Sequence, residues 1–423
     1  MANKGVILAV AYTHVLLTSG VVFGWAALEV FYMDLDQNVR GLIFTAAASL
    51  NYLSNLVFGP YLDAYGCRAC SRFACTLMIV GALLMVAAEI PEWQAGRRPW
   101  FVATGFGLLG FAGPGVQMPT LRCELLFPAR AALVTSTNAS LFDASCIVFL
   151  VFNLLRSFAG ASAFTLFTSY ALCLVGLLIS GQVFFGTLDR AATAEQALTS
   201  PSTPFQRNSS QTSLGCPDKV SSVKEPMLPV CQADKGSNGF RNAVRSSRFL
   251  YLIIFCSIGI LRLNFVVLSI NTQLQTFFDS HEASALSLVF SSLLPWGGLA
   301  APLTAYLLDH HRHLAYRVNL GLSIVYGVCL AAPSMPAQVL AYVIISVSRQ
   351  LTYTIVFALT SSLFGQEHLG KLLAVNNVVV FTVGLLQYPI AAAVGGPWLT
   401  SWTAADLFMT AIALPLLLSN GGL

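Results

Sequence analysis

The stretch SPSTPFQRNSSQTSLGCPDKVSSVKEPMLPV, Ser200–Val230, decides how this chain is organised. Serine, threonine, proline and charged residues dominate it, and so few large apolar side chains cannot bury a core. It is the middle of a polar segment that runs from residue 186 to 248. Outward from it, in both directions, the composition changes completely. Upstream, apolar runs fall near 6–31, 41–62, 71–90, 100–126, 131–156 and 162–185. Downstream they fall near 249–274, 283–308, 315–333, 337–364, 370–394 and 403–418. Each approaches the length of about 20 residues that a helix needs to cross a hydrocarbon core of about 30 Å.

Composition supports the same reading. Over 423 residues the chain is 56% hydrophobic and 9% charged, with a mean hydropathy of +0.72. A soluble domain carries roughly a quarter charged residues, so most of this chain's outer surface must face lipid. The strict alternation of an outer-membrane barrel is missing. Helices satisfy their own backbone hydrogen bonds in lipid. The sequence therefore predicts an all-α membrane protein with 12 transmembrane helices in two six-helix bundles. Residues 1–185 form the N-terminal bundle, 186–248 a cytoplasmic disordered linker, and 249–423 the C-terminal bundle. The first run is too long for a signal peptide and lacks a small-x-small cleavage site.

Basic residues set the orientation. With both termini inside, sixteen lysines and arginines fall on the inner side and four, Arg40, Arg97, Arg98 and Arg156, on the outer. Arg262 and Arg349 are left within apolar runs. The proposed outer loops contain no cysteine, so no external disulfide is expected. Cys67-Arg-Ala-Cys70 lacks the second pair or the histidine that would complete a zinc site. No Walker A loop, nucleophile elbow or metal-ligand cluster is present. The expectation is a protein without enzymatic activity or cofactor and without a nucleic-acid partner. It would act as a monomer embedded in a bilayer, with a small molecule as its ligand.

The two halves echo one another. Gly59-Pro-Tyr-Leu-Asp63-Ala-Tyr-Gly66-Cys-Arg68 follows the second run, and Ala305-Tyr-Leu-Leu-Asp309 with Arg312 follows the eighth. An acid closing a helix on the inner face, with an arginine soon after, can pair across helix ends and release on opening. Asp63, Arg68, Asp309 and Arg312 are therefore candidate gating residues. A fainter echo sets Phe127-Pro-Ala-Arg130 against Phe364-Gly-Gln-Glu367-His-Leu-Gly-Lys371, adding Glu367 and Lys371.

Six runs, a polar loop and six runs is the layout of the major facilitator superfamily. Within it, Ser19-Gly-Val-Val-Phe-Gly24-Trp25-Ala-Ala-Leu28 resembles the first-helix signature of the sodium-independent large neutral amino acid transporters. Phe44-Thr45 and Leu62-Asp63-Ala-Tyr-Gly66-Cys-Arg68 continue the likeness. Phe142-Asp143-Ala-Ser145 is closer to the fungal members of that branch, and Leu261-Arg262 matches a seventh-helix pattern. Arg349-x-x-x-Tyr353, with Phe364-x-x-Glu367-His-x-Gly370-Lys371, matches the tenth helix and its exit. The resemblance implies a secondary transporter of neutral, large amino acids in the plasma membrane or an endolysosomal or vacuolar membrane. Other readings are a carrier of a cationic amino acid, nucleoside or sugar, or a nutrient sensor that does not transport.

Ionisable groups inside a membrane are expensive and mark function. Asp143, Arg262 and Arg349 stand out, with His14 a weaker case. Tyr342, Ser346, Arg349, Tyr353 and Thr360 recur at helical spacing and share one face. The seventh run carries two polar stripes, Arg262, Ser269, Gln273 and Thr276 on one side and Asn264, Asn271 and Gln275 opposite, so protein should surround it or it should be locally unwound. A zwitterion needs an arginine fork for its carboxylate and an oxygen-rich partner for its ammonium. Candidate substrate-binding residues are thus Gly20, Gly24, Trp25, Asn138, Asp143, Arg262, Asn264, Arg349, Tyr353 and Asn376. The same arginines can equally pair with Asp143 to lock the bundles, and glycines such as Gly20 and Gly24 commonly serve helix packing.

Overall fold

A computed structural model of the chain describes residues 4–94, 96–127, 130–191, 237–310, 312–364, 369–397 and 399–418. The segment expected to be a linker lies mostly outside these. Among the described residues the elements are helices, with one isolated bridge between Val394 and Leu399. They are α1 (Lys4–Thr18), α2 (Trp25–Leu28), α3 (Gln37–Ala87), α4 (Pro91–Gln94), α5 (Arg98–Leu121), α6 (Ala131–Ala144), α7 (Ile147–Ala159) and α8 (Ala163–Phe184). The last residues of the segment expected to be a disordered linker are instead helical, forming α9 (Ser237–Arg245) and the start of α10 (Ser247–Phe277). Then come α11 (Ser280–Leu293), α12 (Ala301–His310), α13 (Arg312–Ala331), α14 (Met335–Phe364), α15 (Leu369–Gly384), α16 (Gln387–Ala392) and α17 (Trp402–Leu418).

Among the described residues nine helices are long and apolar enough to cross a membrane, and the bent pair Lys4–Thr18 and Val21–Tyr32, at 43°, makes a tenth. The 51 residues of α3 would span about 75 Å at 1.5 Å per residue, far more than one hydrocarbon core. Gly66, at φ 82 and ψ 177, divides it into two passes. The shorter apolar helix α17 completes twelve.

Entry into several spans is fixed by side-chain caps. Asp36 accepts from the Asn38 amide at 2.8 Å, and Ser162 from Thr165 at 3.2 Å. Ser246 accepts from Phe249 at 3.2 Å and Asp279 from Glu282 at 2.8 Å. Each satisfies an amide that the first helical turn leaves unpaired.

Helices of each half pack mainly on one another, α3 against α5 and α8, and α13 against α14 and α17. The halves meet where α15 lies on α3, where α6 lies on Leu294–Ala300, and where α2 meets α10 and α11. Small residues allow the close approaches. A Cβ on Gly110 would lie 2.5 Å from the Ala47 carbonyl, and one on Gly113 would lie 2.4 Å from that of Ser19. Helix α10 is covered on both sides, with 83% of its apolar window buried, as its two polar stripes require.

Gly66 sits where L side chains strain, and a Cβ there would also lie 2.6 Å from Asp189 Oδ1. Gly66→Ala should therefore lose about 1–3 kcal/mol of stability, read as a lower thermal midpoint of the purified protein. Gly176→Ala, with nothing within 4 Å of the added carbon, should leave that midpoint unchanged or raise it slightly.

Candidate functional site at the bundle interface

The polar stripe of α14 divides its contacts. Ser346 donates to the Leu293 carbonyl at 3.0 Å, and Tyr342 packs edge-on against Phe290. Arg349 and Tyr353 instead reach the other half of the molecule. Arg349 Nε lies 3.2 Å from Asp143 Oδ1, with side chains 4% and 3% exposed. The guanidinium carbon sits 4.4 Å from the centre of the Phe23 ring, a cation–π contact strengthened by desolvation. Arg349 Nη1 and Nη2 are buried and have no hydrogen-bond partner among the described residues.

Around this pair the rings of Phe23, Tyr52, Phe142 and Tyr353 form a continuous set. Phe23 contacts Tyr52 and Phe142 at centroid distances of 6.4 and 6.0 Å, and Phe142 meets Tyr353 edge-on at 6.4 Å. The Tyr52 and Tyr353 hydroxyls are 3.0 Å apart, and Asn264 Nδ2 lies 3.4 Å from the Tyr52 oxygen. The site thus draws on the broken first span, α3, α6, α10 and α14. It offers a charged pair, two NH2 groups without a partner among the described residues, two phenols, an amide and aromatic walls.

Of the residues the sequence singles out, Asp143, Asn264, Arg349 and Tyr353 come together here. The others do not. Gly20 donates its amide to Ser145 Oγ at 2.7 Å, so that N–H is spent within the protein. Cβ atoms on Gly20 and Gly24 would lie 2.4 and 2.7 Å from the carbonyls of Phe142 and Cys146, so both glycines let the first span lie against α6 and α7. Trp25 packs on Phe44 and Phe106 in the N-terminal core. Asn138 accepts from Gln117 at 2.9 Å and donates to Thr120 at 2.7 Å, tying α6 to α5. Asn376 donates to Cys256 Sγ at 3.4 Å. Arg262 is taken up by Ser323, Thr410 and the face of Tyr326, on the other side of α10 from Asn264. His14 sits between the Val10 and Leu177 carbonyls at 2.7 and 2.8 Å, a packing position.

The expected gates also have different partners. Asp63 pairs with Arg122 Nη2 at 3.0 Å, not with Arg68. The amides of Cys67 and Arg68, which open the helical stretch after Gly66, point to the Asp189 carboxylate at 2.5 and 3.3 Å, an anion at a helix N-terminus. Lys371 is exposed on α15. The side chains of Asp309 and Arg312, and Glu367 entirely, lie outside the described residues.

Sequence reasoning missed Tyr52, Phe23 and a second cross-half network. Thr45, Ser49 and Tyr52 share one face of α3 at helical spacing, the signal that would have found Tyr52. In the network Glu29 pairs with Arg40 at 3.1 Å, and Asn271 Nδ2 donates to Glu29 at 2.7 Å and to the Ala26 carbonyl at 2.8 Å. Ser287 donates to Asn271 Oδ1 at 2.5 Å. Arg40, expected in an outer loop, is 6% exposed.

A family model described as the Major Facilitator Superfamily matches residues 7–389. The chain belongs to that superfamily. It is 24% identical to Protein FMP42 of Saccharomyces cerevisiae, over 84% of this chain and 81% of that protein. It is also 24% identical to Equilibrative nucleobase transporter 1 of Bos taurus, over 90% of this chain and 87% of that one. A crystal structure of the peptide transporter POT superposes with a TM-score of 0.67 at 13% identity, covering 97% of this chain and 93% of the other. The protein is thus an integral, multi-pass membrane transporter of a small solute.

Removing one member of a buried pair leaves the other charge uncompensated, at about 3–5 kcal/mol. Asp143→Leu should therefore lower the thermal midpoint in nanodiscs more than the double variant Asp143→Leu with Arg349→Met. Equal losses in the two would show that the pair is not coupled.

Proposed function

We propose that this transporter carries a planar heteroaromatic solute of the nucleobase class, bound between the two halves at Arg349. The observation that carries the reading is the pair of buried, unpartnered Nη groups set among four aromatic rings. Parallel guanidinium N–H groups match adjacent ring-nitrogen and carbonyl acceptors on one edge of a base. Phe23, Tyr52, Phe142 and Tyr353 supply the stacking faces that a flat π-system prefers. Asn264 and the two phenol hydroxyls can then read another edge. The nucleobase transporter among the relatives supports this choice.

Alternating access follows from where the groups are anchored. Asp143 belongs to one half and Arg349 to the other. A solute that binds the guanidinium shields it when the halves part, so opening without solute costs more than opening with it. The protein acts as a monomer in this reading, because one chain supplies every group named.

A second reading is a large neutral amino acid. The same Nη donors suit a carboxylate, and Asp143 beside them suits an ammonium. Uptake into proteoliposomes without sodium separates the two. Labelled adenine or hypoxanthine should enter and compete with each other, while leucine and phenylalanine should not compete. Entry of leucine alone supports the second reading, and flux of neither class overturns both. Arg349→Lys keeps the charge but loses the fork, and should raise KM at least about tenfold, equivalent to about 1.4 kcal/mol.

A further inference from the structure

A second polar cluster lies wholly inside the C-terminal half. Its centre is Asp406 on α17, 3% exposed. Oδ2 accepts a hydrogen bond from Gln273 Nε2, which also donates to the Leu330 carbonyl at 3.1 Å. Among the described residues, the other acids buried this deeply are Glu29 and Asp143. Each of those touches a guanidinium, at 3.1 and 3.2 Å. Asp406 touches none among the described residues.

The nearest cation is one helical turn away. Thr410 Oγ1 accepts from Arg262 Nη2 at 3.3 Å and donates to the Asp406 carbonyl at 2.7 Å. Gly327 makes room for this, since a Cβ there would lie 1.9 Å from Thr410 Oγ1 and 2.7 Å from Arg262 Nη2. The charged and titratable groups that face the cluster are therefore few. Arg262 comes from α10, and the Tyr326 phenol, under Arg262, from α13. Helix α17 carries no other ionisable residue.

This arrangement supports two charge states. An ionised carboxylate out of water, with no cation in contact, costs several kcal/mol. One amide hydrogen bond does not return that much. A bound proton removes the cost, and Arg262, one turn away, offers the ionised form something to face. Asp406 and Gln273 each lie four residues from the end of their helices, Trp402 and Phe277, that the basic-residue bias assigns to the outer side. Beyond Arg262 lie the polar side chains of Ser323, Asn319, Ser348 and Thr352, which line a small cavity. The guanidinium links Ser323 of that cavity to Thr410, one turn from the acid, and a fixed positive charge opposes the passage of protons.

We propose that Asp406 is a proton-binding site, loaded from the outer face and separate from the solute site, and that its occupancy promotes uptake. Helix α10 connects the two sites. One of its faces carries Gln273 and Arg262 toward Asp406, and the other carries Asn264 and Asn271 into the bundle interface. A change of charge at Asp406 acts on the helix that also touches the other half.

The direct test uses protons alone, on purified protein in bilayers without solute. A pH-difference infrared spectrum should show a protonated-carboxyl stretch that Asp406→Asn removes and Asp406→Glu shifts. A spectrum that Asp406→Asn leaves intact overturns the proposal, whatever the solute proves to be. In proteoliposomes, lowering the external pH should raise the wild-type uptake rate several-fold. Asp406→Asn should flatten that profile while retaining solute exchange at equal pH on both sides. A flat wild-type profile, or a wild-type profile in Asp406→Asn, refutes the coupling. If Asp406→Asn does not fold, Asp406→Glu should displace the profile along the pH axis, and an undisplaced profile counts against the site.

Discussion

The contact between Asp143 and Arg349 is the constraint on which the rest of the interface depends. Neither group can be left alone in a low-dielectric interior without a penalty of several kcal/mol. Each sits on a helix of a different half. Placing them together forces α6 and α14 to face each other near the middle of their apolar spans. It also favours an aromatic lining, because the guanidinium fork beyond Nε has no acceptor among the described residues. Phe23 covers the cation only because Gly20 and Gly24 let the broken first span press against α6 and α7. Small residues in one helix thereby determine the environment of a charge on another.

Helix α10 is the second element with little freedom. Protein lies against both of its polar faces, so every helical turn of it has an assigned neighbour. Asn264 and Asn271, seven residues apart, make two contacts with the other half, one at Tyr52 beside the Asp143–Arg349 pair and one at the Glu29–Arg40 pair. A rotation of either bundle must break or exchange both. The Glu29 network and the Asp143 pair therefore belong to the same mechanical coordinate. A solute at the inner contact can influence the outer one without any separate signalling path.

Much of this was legible in the sequence, because the signals involved are local. Periodicity alone placed Arg349 and Tyr353 on one face and predicted that α10 has no lipid-facing side. The layout of six runs, a polar segment and six runs gave the fold class. What periodicity cannot give is the identity of the neighbour a face meets. Arg262 and Arg349 look alike in sequence, each a lone guanidinium in an apolar run. One points at the other half and one into its own bundle, and only helix packing separates them. The partner of Asp63 is hidden for the same reason, since the arginine near it in sequence is not the one near it in space. Tyr52 lies on a short polar stripe with Thr45 and Ser49 in an otherwise apolar helix. Asp406, a single acid close to a helix start, reads in sequence as an ordinary terminal charge.

The buried charges sort by whether their partners move relative to them. In a rocking transporter the two halves move largely as rigid units. Arg349 and Asp143 sit on opposite units, so their distance must change during the cycle, and a ligand able to replace either partner lowers the cost of that change. Glu29 and Arg40 belong to one unit, and from the other the neutral amide of Asn271 reaches Glu29. That contact can break without separating unlike charges in lipid. Arg262 and Asp406 belong to one half, so rocking of rigid halves would neither join nor part them. Any change in their charge state must then come from outside the bundle. Among the groups that face them, the carboxyl of Asp406 is the one with the freedom to make it.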